Sequence, residues 1–277
     1  MTALRGRAAS GTGNTGGRYY SDPRFYDDAT LGMPNERRML FIAAGLFLER
    51  AMRMPGSRTD GFWRGRGVET RDSLTRVSVL DMCCGTGNFA NQISLVHPKI
   101  EVTGIDFNEK FVTFAKEKFG DLGWKFVSGD AVTYSFGTFF DFILMSSAYH
   151  HIEDGRKADF LSNARRHMRN TGDCLVCDNF LPDYSSKHGR ESAITRYYMA
   201  LAKHYEENRV PKETMEALRE VEKLEVAGVE EHKVSYRLFL RDAENAGLRV
   251  VMDLPVWQPE DFQHDNAGSH VILLRKS

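Results

Sequence analysis

The sequence predicts an α/β fold in which a seven-stranded, mostly parallel sheet is flanked by helices and carries a helical lid inserted late in the chain. Three observations predict it. From Val77 onward short apolar runs alternate with amphipathic segments, the pattern of repeated βα units. The run Val79-Leu80-Asp81-Met82 passes directly into a glycine-containing turn, Cys83-Cys84-Gly85-Thr86-Gly87, and then into helical sequence. A long polar stretch, about 185–228, separates the fifth apolar run from the sixth. With 277 residues, 42% of them hydrophobic, the chain can bury one substantial core, so a single embellished domain is expected.

Taken in order, residues 1–18 lack apolar periodicity and are rich in Gly, Ser, Thr and Arg, which predicts a disordered tail ahead of a folded domain spanning 19–277. Arg18 to Tyr26 is dense in aromatics. Met39, Leu40, Ala43, Leu46 and Phe47 then recur at helical spacing, predicting a cap helix within 19–54. Gly, Arg, Ser and Asp dominate 55–73, an exposed loop anchored by Phe62 and Trp63. Strands are predicted at Val77–Met82, Ile100–Ile105, Lys125–Val127, Phe140–Met145, Cys174–Cys177, Arg249–Asp253 and His270–Leu274. Within the insertion, Ile194 to Tyr205 carries Tyr197, Tyr198, Leu201 and Tyr205, and Lys212 to Glu225 is strongly helical in propensity. Both read as helices of a lid over the carboxyl ends of the strands. Cys174 and Cys177 lie in one strand, where a spacing of three points side chains to opposite faces, so reduced buried thiols are expected in place of a zinc knuckle.

Composition narrows the function. Lys plus Arg (37) nearly balance Asp plus Glu (38), so no global field draws the chain to nucleic acid or to acidic membranes. No apolar run approaches the roughly 20 residues needed to span a bilayer, and the N-terminus lacks the apolar core of a secretory signal. A cytoplasmic protein with a small-molecule partner is expected; a homodimer is left open.

The chemistry concentrates around the first glycine turn. A second strand follows it, Val102-Thr103-Gly104-Ile105-Asp106, and ends in an acid where a ribose diol would need a carboxylate acceptor. Leu80-Asp81-x-x-Cys84-Gly85-Thr86-Gly87 resembles motif I of the class I S-adenosylmethionine (SAM)-dependent methyltransferases. Ser128-Gly129-Asp130-Ala131 resembles that family's adenine-contacting acidic motif, and Phe140 through His151 its fourth-strand motif. The resemblance runs from about Val77 to Phe180, with Ala246-Gly247-Leu248 fitting the closing hairpin. It implies a Rossmann-like class I methyltransferase fold with SAM as cofactor. It further implies that Asp81, Cys84, Gly85 and Gly87 line the methionine end, that Asp106 holds the ribose, that Phe107 packs on the adenine, that Asp130 and Ala131 flank it, and that Ser146 and Tyr20 complete the cofactor site. The bare residues permit a plainer reading, in which Asp106 caps a helix and Asp130 is a turn acid.

Tyr149, His150 and His151 follow the fourth strand at its carboxyl end, where doubly wound sheets place ligands, and are the catalytic candidates. A histidine there suits proton transfer near neutrality. Tyr26, Asp178, Asn179, Arg196, Tyr197, Tyr198 and His204 are the substrate-binding candidates, although a core-packed stripe explains Tyr197 equally well. Asp178-Asn179 is similar to the Asp-Asn pair of metal-dependent catechol O-methyltransferases, but their acid after strand four is replaced by Ser147-Ala148-Tyr149, so the magnesium site is incomplete. His150 or His151 with Asp178 could instead hold a transition metal, but a polar contact to substrate or backbone is the reading taken and no metal is expected. Asp178-Asn179-Phe180, Ile194 to Asn208 and Glu230-Glu231-His232-Lys233 resemble the carboxy-SAM synthase branch, which however lacks this glycine turn. The expected function is methyl transfer to N, O or an acidic C of a metabolite in a biosynthetic pathway. The alternatives are an RNA-linked enzyme, methylating a nucleotide or forming carboxy-SAM, and a noncatalytic SAM-binding protein.

Overall fold

A computed structural model describes residues 18–54, 75–229 and 231–277. The strands are β1 (Val77–Met82), β2 (Ile100–Asp106), β3 (Lys125–Ser128), β4 (Phe140–Ser146), β5 (Met168–Phe180), β6 (Leu248–Trp257) and β7 (Gly268–Lys276). They form one sheet in the order β3-β2-β1-β4-β5-β7-β6. All pairings from β3 to β5 are parallel, and β7 runs antiparallel to both β5 and β6. Each expected strand is present. The observed β5 to β7 are longer than the apolar runs alone suggest, because their ends pair with neighbours through polar residues such as Asp178, Asn179 and Ser269.

The sheet is covered on both faces, as near-continuous apolar strands require. One face packs on α2 (Pro34–Met52) and α3 (Asn88–Val96), through Met39, Ala43, Phe47 and Ile93 against Val77, Val79, Phe142 and Leu175. The other packs on α5 (Lys157–His167) and α8 (Tyr236–Asn245), through Phe160, Leu161 and Phe239 against Leu80, Met82, Ile143 and Val176. Cys174 and Cys177 fall into opposite core layers, and all four cysteines are free thiols. On the outer strands α4 (Glu109–Phe119) sets Val112, Ala115 and Phe119 against Phe126.

The N-terminal region holds two helices where one was expected. α1 (Pro23–Gly32) is capped by the Asp22 side chain, which accepts from the N–H groups of Arg24 and Phe25. Pro34, with no N–H to donate, ends it and begins α2. The insertion is a helical hairpin of α6 (Lys187–Glu207) and α7 (Lys212–Ala227). Its inward stripe of Ile194, Tyr197, Tyr198, Leu201 and Tyr205 packs with Tyr19, Ala29 and Met33, so N-terminal segment and insertion share one apolar cluster. The predicted disordered tail and the anchored loop at 55–73 lie outside the described residues.

Two glycines test this packing in opposite directions. Gly268 opens β7 at φ 125°, and a Cβ there would lie 2.1 Å from the Trp257 carbonyl oxygen. Gly268→Ala is expected to destabilise by more than about 2 kcal/mol, seen by calorimetry as a Tm lowered by at least about 4 °C. Gly45, inside α2, faces open space. Gly45→Ala should raise stability by about 0.5–1 kcal/mol.

Candidate functional site

β1 is the point where the sheet's order reverses, with β2 on one side and β4 on the other. The turn after it is built for close approach: Cys83, Gly85 and Gly87 all have positive φ. A Cβ on Gly85 would meet nothing nearer than 3.8 Å, so its backbone stands open to a ligand. Beside it lies a cavity of about 390 Å³ lined by Tyr20, Tyr26, Cys83, Gly85, Asp106, Phe107, Asp130, Ala131, Ser147 and His151, among others. The size is that of a small-molecule site. Phe107 is 70% exposed, a large apolar ring with nothing yet against it.

Asp106 serves the turn and the cavity at once. Its Oδ2 accepts from the Gly85 N–H and its Oδ1 from the Asn108 N–H, each at 2.8 Å. The capping role and the ligand-facing role therefore coexist, since each carboxylate oxygen keeps a further lone pair. Burial raises the Asp106 carboxyl above its ordinary value, against the pull of these N–H groups. Asp130 accepts from the Val132 N–H and pairs with Arg156, contacts that outweigh its partial burial and hold it below the usual range.

A second, smaller cavity of about 50 Å³ adjoins the first, and Tyr20, Tyr26, Ser147 and His151 line both. Its remaining wall includes Glu36, His150, Asn179, Tyr197, Tyr198, Glu231 and Lys233. The Tyr197 hydroxyl is fully buried there and has no hydrogen-bond partner among the described residues. Such a group costs stability unless something else satisfies it.

The histidines come from a 3₁₀ turn, Tyr149–His151, whose three residues per revolution send successive side chains in three directions. Tyr149 points away from both cavities: its hydroxyl donates to Asp242 at 2.8 Å and its ring packs edge-on against Phe239. This corrects its assignment as a catalytic candidate. His150 Nδ1 lies 2.6 Å from the completely buried Asp178, which also accepts from the Tyr149 and Asn179 N–H groups. Burial pushes the His150 imidazole down to about 4 despite Asp178, so the ring is neutral at pH 7. Its Nδ1–H donates to Asp178, and the lone pair of Nε2 faces Glu231 at 3.6 Å. His151 Nδ1 is 3.8 Å from the other Glu231 oxygen. Burial would raise Glu231, but Lys233 and the histidines bring it down to about 2. Tyr20 donates a short hydrogen bond to Glu231, and Lys233 forms a close ion pair with it. Lys233 also reaches Glu225, which Arg190 of α6 binds at 2.6 Å.

The cavities thus gather Tyr20, Tyr26, Gly85, Asp106, Phe107, Asp130, Ala131, His150, His151, Asn179, Tyr197 and Tyr198. Other expected residues fall elsewhere. Cys84 turns its thiol toward Phe126 and Gly104 in the core, and Cys83 takes the cavity wall. Gly87 is the left-handed N-cap of α3, pressed against Phe119. Ser146 stays in β4 and Ser147 reaches the cavities, its backbone at φ 48° and its hydroxyl donating to Glu36. Asp178 acts beneath the wall through His150. Arg196 lies outward over Phe262 at 4.3 Å, and His204 stacks on Trp257. Glu36, Ser147, Lys233 and the Glu231 contact were not anticipated. Glu36 reads in the sequence as an ordinary first-turn helix acid, and Glu231 is 80 residues from the histidines it meets.

Residues 79–172 match the family model described as a methyltransferase domain. That match covers about a third of the chain, which over this stretch resembles the SAM-dependent methyltransferases. The chain is 36% identical over 78 residues to a demethylmenaquinone methyltransferase of Lactococcus lactis, a match covering 27% of this chain and 31% of the relative. It is 29% identical over 125 residues to the same enzyme of Thermotoga maritima, covering 45% and 53%. The chain thus spans about a third to a half of the length of these curated relatives. In fold it is similar to an O-methyltransferase from neocarzinostatin biosynthesis, solved with S-adenosyl-L-homocysteine and 1,4-dihydroxy-2-naphthoic acid. That likeness has a TM-score of 0.52 at 13% identity and covers 94% of this chain and 60% of that one. Among the described residues no helix is long and apolar enough to cross a membrane.

Asp81, at the end of β1 before the glycine turn, is buried, and its Oδ2 has no partner among the described residues. Burial, then repulsion from Asp106, raises its carboxyl to about 8. A folded value above the unfolded one of about 3.9 means native stability is lost as pH rises from about 4 through 8. Asp81→Asn removes that dependence. The Tm of the variant minus that of the parent should grow between pH 5 and pH 8; a difference flat with pH would show that Asp81 is already ionised.

Proposed function

We propose that the protein is a SAM-dependent methyltransferase acting on a small molecule, with the larger cavity as the cofactor site and the smaller, whose volume of about 50 Å³ admits a few atoms, receiving the acceptor's reacting group. The observation that carries this reading is the shared wall of Tyr20, Tyr26, Ser147 and His151, which brings the two cavities into contact beside the open Gly85 backbone. When bound, SAM supplies an electrophilic methyl group on a sulfonium. In this reading the Gly85 backbone and Cys83 flank the methionine end, the free lone pairs of Asp106 take the ribose hydroxyls, and Phe107, Asp130 and Ala131 enclose the adenine. The exposed Phe107 ring fits that task, because a stacked base would cover it.

The chain's own contribution is alignment and exclusion of water. Tyr26 and the lid tyrosines close the acceptor cavity, and the Tyr197 hydroxyl is free to bond a polar group of the acceptor. The pole formed by His150, His151 and Glu231 orients the nucleophilic oxygen, nitrogen or acidic carbon, and its His151, on the wall shared by both cavities, takes the proton. We further propose that residues 19–277 work as one methyltransferase domain whose lid closes a pocket for a biosynthetic metabolite.

Two variants separate the halves of this reading. Asp106→Ala should weaken SAM and S-adenosylhomocysteine binding at least about tenfold by calorimetry, the worth of about 1.4 kcal/mol. Unchanged affinity would remove the ribose assignment. His151→Ala should lower methyl transfer to a screened acceptor by about 10²–10⁴ while leaving SAM affinity within about threefold. Full turnover in that variant would take the proton-relieving role away from the pole.

A further inference from the structure

We infer that His150, His151 and Glu231 form a binding site for a divalent transition-metal ion at the junction of the two cavities. One ligand atom from each lies within 4.8 Å of the others. Oε2 of Glu231 stands 3.6 Å from His150 Nε2, and its Oε1 stands 3.8 Å from His151 Nδ1. Ligands about 2.0–2.1 Å from a tetrahedral ion stand about 3.3 Å apart, so atoms now within 4.8 Å of one another close on an ion by at most about 1.5 Å for any pair. Two imidazoles and one carboxylate are a set suited to first-row ions, and they leave further positions open.

The chemistry of the facing atoms points to a cation. Nδ1 of His150 gives its proton to Asp178, so Nε2 presents a lone pair, and it presents it to a carboxylate. At 3.6 Å this is too long for a direct hydrogen bond. Two electron-rich atoms facing each other across such a gap are stabilised by a positive centre between them. The surroundings match those of ligated side chains: Asp178 fixes the tautomer and orientation of His150, and Lys233 hydrogen-bonds the Glu231 oxygen that faces it. Tyr20, which donates to Oε1 of Glu231, is the group an ion must displace.

The sequence argued against a metal because no acid follows strand four. Glu231 supplies that acid from a distant segment. The ion's place does not depend on methyl transfer. Its use rests on the function proposed above, with the cation ionising the acceptor in place of a histidine lone pair: open coordination positions facing the acceptor cavity would hold an acceptor oxygen, which loses its proton more readily on a cation, beside the cofactor cavity.

The test is a Co²⁺ titration of the full chain after treatment with EDTA, read by visible d–d absorption, with calorimetry of Zn²⁺ in parallel. One ion per chain is expected. Glu231→Gln should weaken binding at least 100-fold, and Asp178→Asn about 10–100-fold. Tyr20→Phe, which leaves the ligands intact, should tighten it. The absence of saturable binding would overturn the inference, as would affinity unmoved by both Glu231→Gln and Tyr20→Phe. Because the readout is the metal alone, failure here is distinguishable from failure of the SAM assignments, which calorimetry of the cofactor reads.

Discussion

The arrangement depends on a buried carboxylate, Asp178, at the carboxyl end of β5. It is wholly excluded from water yet stays ionised, because His150 and the N–H groups of Tyr149 and Asn179 surround it. Those same bonds fasten the 3₁₀ turn after β4 to the neighbouring strand. Lys157 adds a second tie, donating to the Tyr149 carbonyl from beneath. Removing one partner of so buried a pair leaves an uncompensated charge, commonly several kcal/mol. The turn therefore has little freedom, and its three side chains are committed: Tyr149 to the core, His150 and His151 to the cavities.

A second constraint comes from topology. Parallel strands joined by crossovers leave a crevice where the sheet order reverses, at the carboxyl ends of β1 and β4. The glycine turn furnishes one wall of that crevice and the histidine turn the opposite one. The insertion and the N-terminal helices roof it, tied down by the Glu231–Lys233–Glu225–Arg190 network and by Tyr20. Roof, histidine pole and floor are thus joined through buried ionic contacts as well as apolar packing, and the smaller cavity lies where all three meet.

The fold was legible because strand periodicity and glycine turns are local signals. Val77–Met82 and Ile100–Asp106 announce themselves by apolar content and by the acid or glycine that ends them. The residues that line the larger cavity were largely legible for the same reason, being strung along the ends of three consecutive strands. Errors of one position, Ser146 for Ser147 and Cys84 for Cys83, arose where positive φ turns reverse the alternation of side chains. The acceptor side was legible only in part. Glu36, Glu231 and Lys233 come from a helix start and a short connection that carry no local mark of function, and only tertiary packing brings them to His150 and His151. Arg196 and His204 were misplaced because polar residues on a lid helix look alike in sequence whichever face they occupy.

The central claim is that cofactor and acceptor meet at the wall shared by Tyr20, Tyr26, Ser147 and His151. A crystal structure of the full chain with S-adenosylhomocysteine bound tests it most directly. The account predicts the ribose on Asp106, the adenine between Phe107 and Ala131, and the sulfur in contact with the shared wall, facing the smaller cavity. A ligand whose sulfur faces away from His151 and Ser147, or one seated outside this crevice, would contradict it.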